Sequence, residues 1–451
     1  MNINDLFYKS DLITEKILSF LDDKSLAYFG SCCTEWRLKA NDNKLWFKLC
    51  QLKGFLDYEY LIDTMAHPSI PLKTTTTSPV FTSRISSLSA HCKWRQVFDR
   101  SMHLIKNWKN GIYFVAPVMK AHKGRISAFD SNRSIIVSTS DDENLIKIWS
   151  IEDLDMINCF KSKNDSITCL KIYGEYIVAA GDDGMIKIYD LINGDLHHTF
   201  SNNSNSNRDG ITKFIINDDK IIAVYTDKSI KAWCLKKFKL LAILRGHTDE
   251  IECLSCFENI LISGSWDKNV TLWDLNNGTK LADLTGHTEV INCLKIKDYS
   301  CLVSGSADSI VKIWNLSISK GLNKKDRLMI NSIDCVDLKG HNSDVYCLDV
   351  FDNYIASGGA DSLVIIWNLN GDLLYRLSGH LGIVRFIHID RYKLVTGGDA
   401  KRILVWDYKN GKLMNTLHRN PNKIFFMNVS DTKIITASPE TESNITMICY
   451  W

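Results

Sequence analysis

The chain has 451 residues, with 54 Lys and Arg against 52 Asp and Glu, a net charge of +2. That balance gives no reason to expect nucleic acid or an anionic membrane as a partner. No apolar run approaches the roughly 20 residues of a membrane span and residues 1–9 lack a signal-peptide core, so the expected setting is cytoplasmic or nuclear, with the 14 cysteines reduced and no metal or cofactor.

In chain order, Ser10 or Asp11 caps a first predicted helix with apolar positions Leu12, Ile13, Ile17, Leu18, Phe20 and Leu21. Asp22-Asp23 interrupts it. A second helical run carries Leu26, Ala27 and Phe29, a third covers 32–38, and a fourth presents Leu45, Trp46, Phe47, Leu49 and Cys50. Read by themselves these make a small helical domain with tryptophans in its core.

The order Lys16-Ile-Leu-Ser-Phe-Leu-Asp22, then Leu26, Cys33-Thr-Glu-Trp36, Leu45-Trp46 and Leu49-Cys50 resembles an F-box over residues 9–52. The resemblance implies docking through the first helices, at Leu12, Ile13, Ile17, Leu18, Phe20, Leu21 and Leu26, on a Skp-type adaptor and through it a cullin. One departure bears on this. Lys9-Ser10 stands where the family has Leu-Pro; Ser10 still caps the helix, but the proline's contact is lost and adaptor binding is expected to weaken.

From 63 to 89 the chain is polar, with four threonines at 74–77, and cannot bury enough apolar area to order itself. Trp94, Val97, Phe98, Ser101, Ile105 and Trp108 then fall at spacings of three and four, predicting an amphipathic helix. Asn110-Gly111 ends it. The expected division is 9–52, a helical linker with its Ser/Thr-rich insertion at 53–111, and 112–451.

The last part is repetitive. In 241–274 three short runs at 251–257, 260–265 and 269–274 are rich in β-branched and apolar residues and bounded by turn formers, so each reads as a strand. The pattern returns from Gly286-His287 to Trp314, from Gly340-His341 to Trp367 and from Gly379-His380 to Trp406, at a period of roughly 40 residues. This resembles the WD-repeat family, whose repeat runs from Gly-His to Trp-Asp and forms one propeller blade. Degenerate copies end at Trp149, Tyr189, Trp233 and Trp451, which brings the count to eight, with seven as the alternative. The last copy lacks a fourth strand, and 112–119 is expected to supply it, closing the ring without an open edge. The fold class is therefore multidomain: a small all-α F-box and helical linker, then an all-β eight-bladed propeller. The linker would enter at the foot of that closing strand, putting the F-box opposite the face that carries the inter-blade loops.

Within each strong repeat a hydrogen-bonded chain is expected: His247, Ser263, Asp267, Trp273; His287, Ser304, Asp308, Trp314; His341, Ser357, Asp361, Trp367. A Ser-His-Asp set can serve nucleophilic catalysis. Three copies in one register instead indicate a device that ties blades together, and no catalytic residue is expected. Ala400 replaces the aspartate of the seventh repeat, so His380 should lack its acceptor. Cys169, Cys253, Cys293 and Cys347 share one first-strand position, as small buried apolar residues do.

In F-box/WD-repeat proteins, targets bind the rim of the face bearing the inter-blade loops. The positions that face it here are Arg125, Ser127, Thr168, Asp182, Glu250, Glu252, Trp266, Asn292, Asp344, Tyr346, Arg385, Asp399 and Phe425. Relatives that read phosphorylated segments use several arginines, because guanidinium pairs phosphate bidentately. This rim is mostly acidic, so the expected ligand is a basic or aromatic-anchored peptide with Trp266, Tyr346 and Phe425 as anchors. The insertion at 317–331, with Lys320, Lys324, Lys325 and Arg327, is expected as a solvated basic loop. The function implied is that of a monomeric, non-catalytic substrate receptor of an F-box-type ubiquitin ligase; the alternative is a non-degradative WD-repeat scaffold.

Overall fold

The computed structural model describes residues 18, 20–32, 34–57, 92–116, 119–141, 144–152, 154–163, 166–201, 209–319, 329–417, 424, 426–437 and 443–450. They fall into two compact units, one of Met1–Phe114 with Ser430–Lys433 and Cys449–Trp451, the other of Val115–Val429 with Ile434–Ile448.

The first unit is helical: α1 Asp23–Cys32, α2 Thr34–Ala40, α3 Asn43–Lys53, a 3-10 turn Phe55–Asp57, and α4 Lys93–Asn110. Asp42 caps α3 by accepting from Lys44 N, and Gly54 ends it at φ 70°, a left-handed conformation that glycine adopts without strain. Leu18, Leu26, Leu45, Trp46, Cys50, Phe55, Val97, Phe98, Leu104 and Trp108 form the core. Trp46 edges onto Phe98 at 5.2 Å and donates its indole N–H to Ala40 O at 2.7 Å, so the buried ring leaves no polar atom unpaired. At the far end of α4, Trp108 stacks on Tyr450 at 3.5 Å and donates to Asp431 O at 2.7 Å. The helix predicted from Trp94 to Trp108 is present and stops at Gly111, φ 67°.

The second unit is an eight-bladed propeller. Seven four-stranded antiparallel sheets are each built in chain order, over 126–161, 167–200, 211–244, 251–284, 291–339, 345–378 and 384–417; these are blades 1 to 7. In blade 8, Phe426–Val429, Lys433–Ala437 and Ser443–Cys449 are joined by Phe114–Val115 and Met119–His122, both paired to Ser443–Cys449. The first strands touch their neighbours all the way round, that of blade 1 meeting that of blade 8, so they form the inner wall. The closing segment differs from a single strand over 112–119: Ile112 is exposed, and the pairing comes from two strands, Phe114–Val115 and Met119–His122, with Ala116 N also donating to Met447 O at 2.9 Å.

A bulge at the second residue of most first strands, as between Ile251 and Cys253, re-aims the side chains that follow it. Blades meet at tight backbone approaches: a Cβ on Gly264 would lie 2.7 Å from Ile291 and 2.8 Å from Cys253 and Leu294. The insertion of blade 5 is more ordered than a loop. Its third and fourth strands extend as Ile310–Ser319 and Met329–Lys339 and stay paired out to Ser319↔Met329, where Ile318 and Ile330 pack against the buried core shared by blades 4 and 5, which includes Ile260, Leu272, Leu302 and Leu316. Residues 320–328, with the basic side chains, lie outside the described residues.

Candidate functional site

The repeat network is built as its spacing implies. In blade 4, His247 Nδ1 meets Asp267 at 2.7 Å, Nε2 meets Ser263 at 2.7 Å, and Trp273 donates to the same hydroxyl at 2.8 Å. Blade 5 repeats this with His287–Asp308 at 2.8 Å, His287–Ser304 at 2.8 Å and Trp314–Ser304 at 2.9 Å. Blade 6 does so with His341–Asp361 at 2.9 Å, His341–Ser357 at 2.8 Å and Trp367–Ser357 at 3.0 Å. The carboxylate accepts, so the proton sits on Nδ1, and Nε2 takes the serine proton. The three serines are fully buried and already accept an indole N–H. No substrate reaches them; the network joins loop to turn inside each blade.

The carboxylates gain from this. Burial by itself pushes Asp308 up, but the His287 ring N–H and the Thr288 and Ile310 amides outweigh it and hold the group down at about 2. The degenerate blades substitute other chemistry. In blade 2, buried Lys187 donates to Lys163 O at 2.6 Å and Asp183 at 2.7 Å, tying loop to turn where no histidine is available. In blade 1 Lys147 reaches Ala121 O at 2.8 Å beside a histidine network that is kept in part, His122 Nε2 meeting Ser138 at 2.9 Å and Trp149 donating to the same hydroxyl at 3.2 Å. A lysine two residues before the aromatic was the overlooked sequence signal.

At the rim, two clusters come together. Arg385 binds Asp399 through two bonds of 2.6 and 3.1 Å and lies over Tyr346 at 5.7 Å; the Asp399 bond raises its already high pKa. Glu252 accepts from Trp266 Nε1 at 3.3 Å and pairs with Lys213. Lys213 was missed because it occupies the cysteine position of a degenerate repeat. Trp266 remains 46% exposed.

Other rim candidates are engaged elsewhere. Thr168 donates to Ile211 O at 2.6 Å and Asn292 to Val345 O at 3.0 Å, each lashing its blade to the next. Arg125 and Glu250 are exposed and Asp344 is half-buried; none joins either cluster. Phe425 lies outside the described residues. The shared cysteines are also cross-blade contacts, Cys253 to Ile291 O at 3.6 Å and Cys347 to Val384 O at 3.3 Å. Burial pushes the thiols of Cys253, Cys293 and Cys347 upward.

On the helical unit, Leu12, Ile13 and Ile17 lie outside the described residues. Leu18 and Leu26 are core residues and Leu21 is half-buried, so of the described adaptor candidates Phe20 alone is fully presented, at 80% exposure. Tyr28, Leu38 and Leu52 are also exposed apolar side chains of this unit. The sequence reading did not single them out for contact.

Comparison with known proteins fits this architecture. The F-box domain model matches residues 10–48, and the WD domain, G-beta repeat model matches 155–190, 238–274, 278–315 and 334–368. Cell division control protein 4 of Candida albicans is 25% identical over 94% of this chain and 52% of its own length. WD repeat-containing protein pop2 of Schizosaccharomyces pombe is 27% identical over 48% of this chain and 28% of its own. The chain thus spans about half or less of these curated relatives. Among solved structures, the computationally designed Ika8 protein aligns with TM-score 0.62 at 24% identity, over 73% of this chain and 98% of that one, a likeness of fold. With a matched F-box, four matched repeats and eight blades, the chain has the domain make-up of an F-box/WD-repeat protein.

Proposed function

We propose that this protein is the target-binding subunit of a Skp–cullin–F-box ubiquitin ligase, acting in the cytoplasm or nucleus. The helical unit binds the Skp-type adaptor and the propeller rim binds a protein target. F-box domains generally bind such adaptors and WD40 propellers bind proteins, which supports the division of labour. The chain performs no bond chemistry; it raises the local concentration of a target lysine beside the conjugating enzyme. The observation that carries the adaptor half is the solvent-facing apolar set Phe20, Tyr28, Leu38 and Leu52 on the F-box unit, an exposure typical of interaction surfaces. Co-purification of the full chain with a Skp-type adaptor tests it. Phe20→Ala with Leu38→Lys should abolish capture while leaving the far-UV spectrum unchanged; undiminished capture would refute the assignment.

For the rim, the ligand we propose is a basic or aromatic-anchored segment that uses Trp266 and Tyr346. Arg385 is already satisfied by Asp399, so a phosphate would have to displace a bidentate carboxylate. Glu250 and Asp344 remain to receive a cationic side chain. A peptide array probed with the full chain discriminates: best binding by phosphopeptides, lost in Arg385→Ala, would overturn this choice.

A further inference from the structure

Blade 7 differs from its sisters by one transposition. Blade 6 reads Gly359-Ala360-Asp361 and blade 7 Gly398-Asp399-Ala400. In blades 4 to 6 the turn aspartate collects three N–H groups. One oxygen accepts from the histidine Nδ1 and from the amide of the next residue, Thr248, Thr288 or Asn342, at 3.0 Å. The other accepts from Asn269, Ile310 or Leu363 N at 3.0, 2.9 and 3.1 Å. By register the corresponding donors in blade 7 are His380 Nδ1, Leu381 N and Arg402 N.

The rest of the blade 7 network is intact. His380 Nε2 meets Thr396 Oγ1 at 2.8 Å, and Trp406 donates to that hydroxyl at 2.9 Å. The threonine hydroxyl has two acceptors within reach, His380 Nε2 at 2.8 Å and Leu404 O at 3.4 Å; the shorter bond, to Nε2, puts the ring proton on Nδ1. His380 is 6% exposed, and among the described residues its Nδ1 has no hydrogen-bond partner. A buried donor left unpaired is costly. The neighbouring aspartate cannot serve, since Asp399 is clasped by Arg385. The only side chain here in the aspartate's place is a methyl, and Leu381, next to the histidine, is 76% exposed. Arg402 is close enough for its charge to bear on the His380 ring, adding a cation beside the donors.

We infer that blade 7 holds a carboxylate-binding site, in which His380 Nδ1 and the Leu381 and Arg402 amides take the oxygens that the aspartate supplies in the sister blades. The ligand is a small free carboxylate or the side chain of an Asp or Glu in a bound segment; it completes the blade in trans. The site stands on the geometry of this blade and does not require that the rim bind a ubiquitylation target.

The test is thermal unfolding of the full chain in sodium formate against sodium chloride at equal ionic strength and pH 7, for wild type and Ala400→Asp. Formate should raise the wild-type Tm by about 2 °C over chloride once it is well above its Kd. Ala400→Asp, which supplies the carboxylate internally, should begin higher and show no formate-specific rise. Equal wild-type response to both salts, or a formate effect that persists in Ala400→Asp, overturns the inference. Should the variant fold poorly, histidine-selective 15N NMR of the wild type decides the matter. Formate must shift the His380 Nδ1 resonance, and chloride must not. The peptide Ac-Gly-Asp-Gly-NH2 identifies a side-chain carboxylate as ligand if it shifts the same resonance while its Asn counterpart does not; a response to formate alone identifies the small anion. No shift with either refutes the site.

Discussion

Asp308→Asn isolates what one network carboxylate contributes. The asparagine keeps the shape and one acceptor oxygen but turns its NH2 toward at least one of the His287, Thr288 and Ile310 N–H donors, so the variant removes the charge and at least one accepted hydrogen bond with little change in volume. Asp308 is held at about 2 against an ordinary 3.8, and its side chain is 4% exposed, so solvent screens it little. At about 1.4 kcal/mol per pH unit, that depression corresponds to about 2 kcal/mol of stability at pH 7. A carboxyl depressed in the folded state stabilises above its unfolded value, and the benefit is lost as pH falls through the folded value. The gap between wild type and Asp308→Asn should therefore stay near about 2 kcal/mol from pH 7 to pH 5 and shrink to about half by pH 3. Urea unfolding of the full chain, followed by tryptophan fluorescence at these three pH values, measures it. A gap that is the same at pH 7 and pH 3 would mean that shape or packing, and not the charge, is responsible.

Further outcomes follow from the same geometry. Burial, with the Arg402 charge, lowers His380 to about 4 from 6.5, so its neutral form stabilises the fold above pH 6.5 and that contribution, about 3 kcal/mol, is lost as pH falls toward 4; Ala400→Asp should reduce this acid sensitivity in chemical denaturation. Gly264→Ala forces a methyl to within 2.7 Å of Ile291 at the junction of blades 4 and 5 and should cost about 1–3 kcal/mol, read as a lowered Tm; an unchanged Tm would show that the blades part easily. Under native conditions at pH 8 a thiol reagent should modify exposed Cys32, Cys159 and Cys335 but spare Cys253, Cys293 and Cys347, as peptide mass spectrometry would reveal; fast modification of the latter would contradict their cross-blade packing.

Much of this was legible before any coordinates. Spacing within about 30 residues of chain fixes which histidine, serine, aspartate and tryptophan can meet inside a blade, and the three complete networks formed as that spacing required. The missing acceptor of His380 was readable from Ala400 alone. So was α4, because a three-and-four periodicity is a property of one segment. The extent of strand pairing in blade 5 was not, since Ile318 and Ile330 pack against a core that blades 4 and 5 share.

The amino-acid sequence by itself determined the repeat unit and the chain of hydrogen bonds inside the three strong blades, since both are local, while the choice of eight blades over seven needed the sheet topology. Which rim side chains are free for a partner was decided only by tertiary structure. Thr168 and Asn292 are committed to the carbonyls of the following blade, Glu252 is paired with Lys213 from 39 residues earlier, and Asp399 is held by Arg385. The first three of these bonds cross a blade boundary. They join residues that no local periodicity relates, and they exist because closing the ring brings successive first strands side by side.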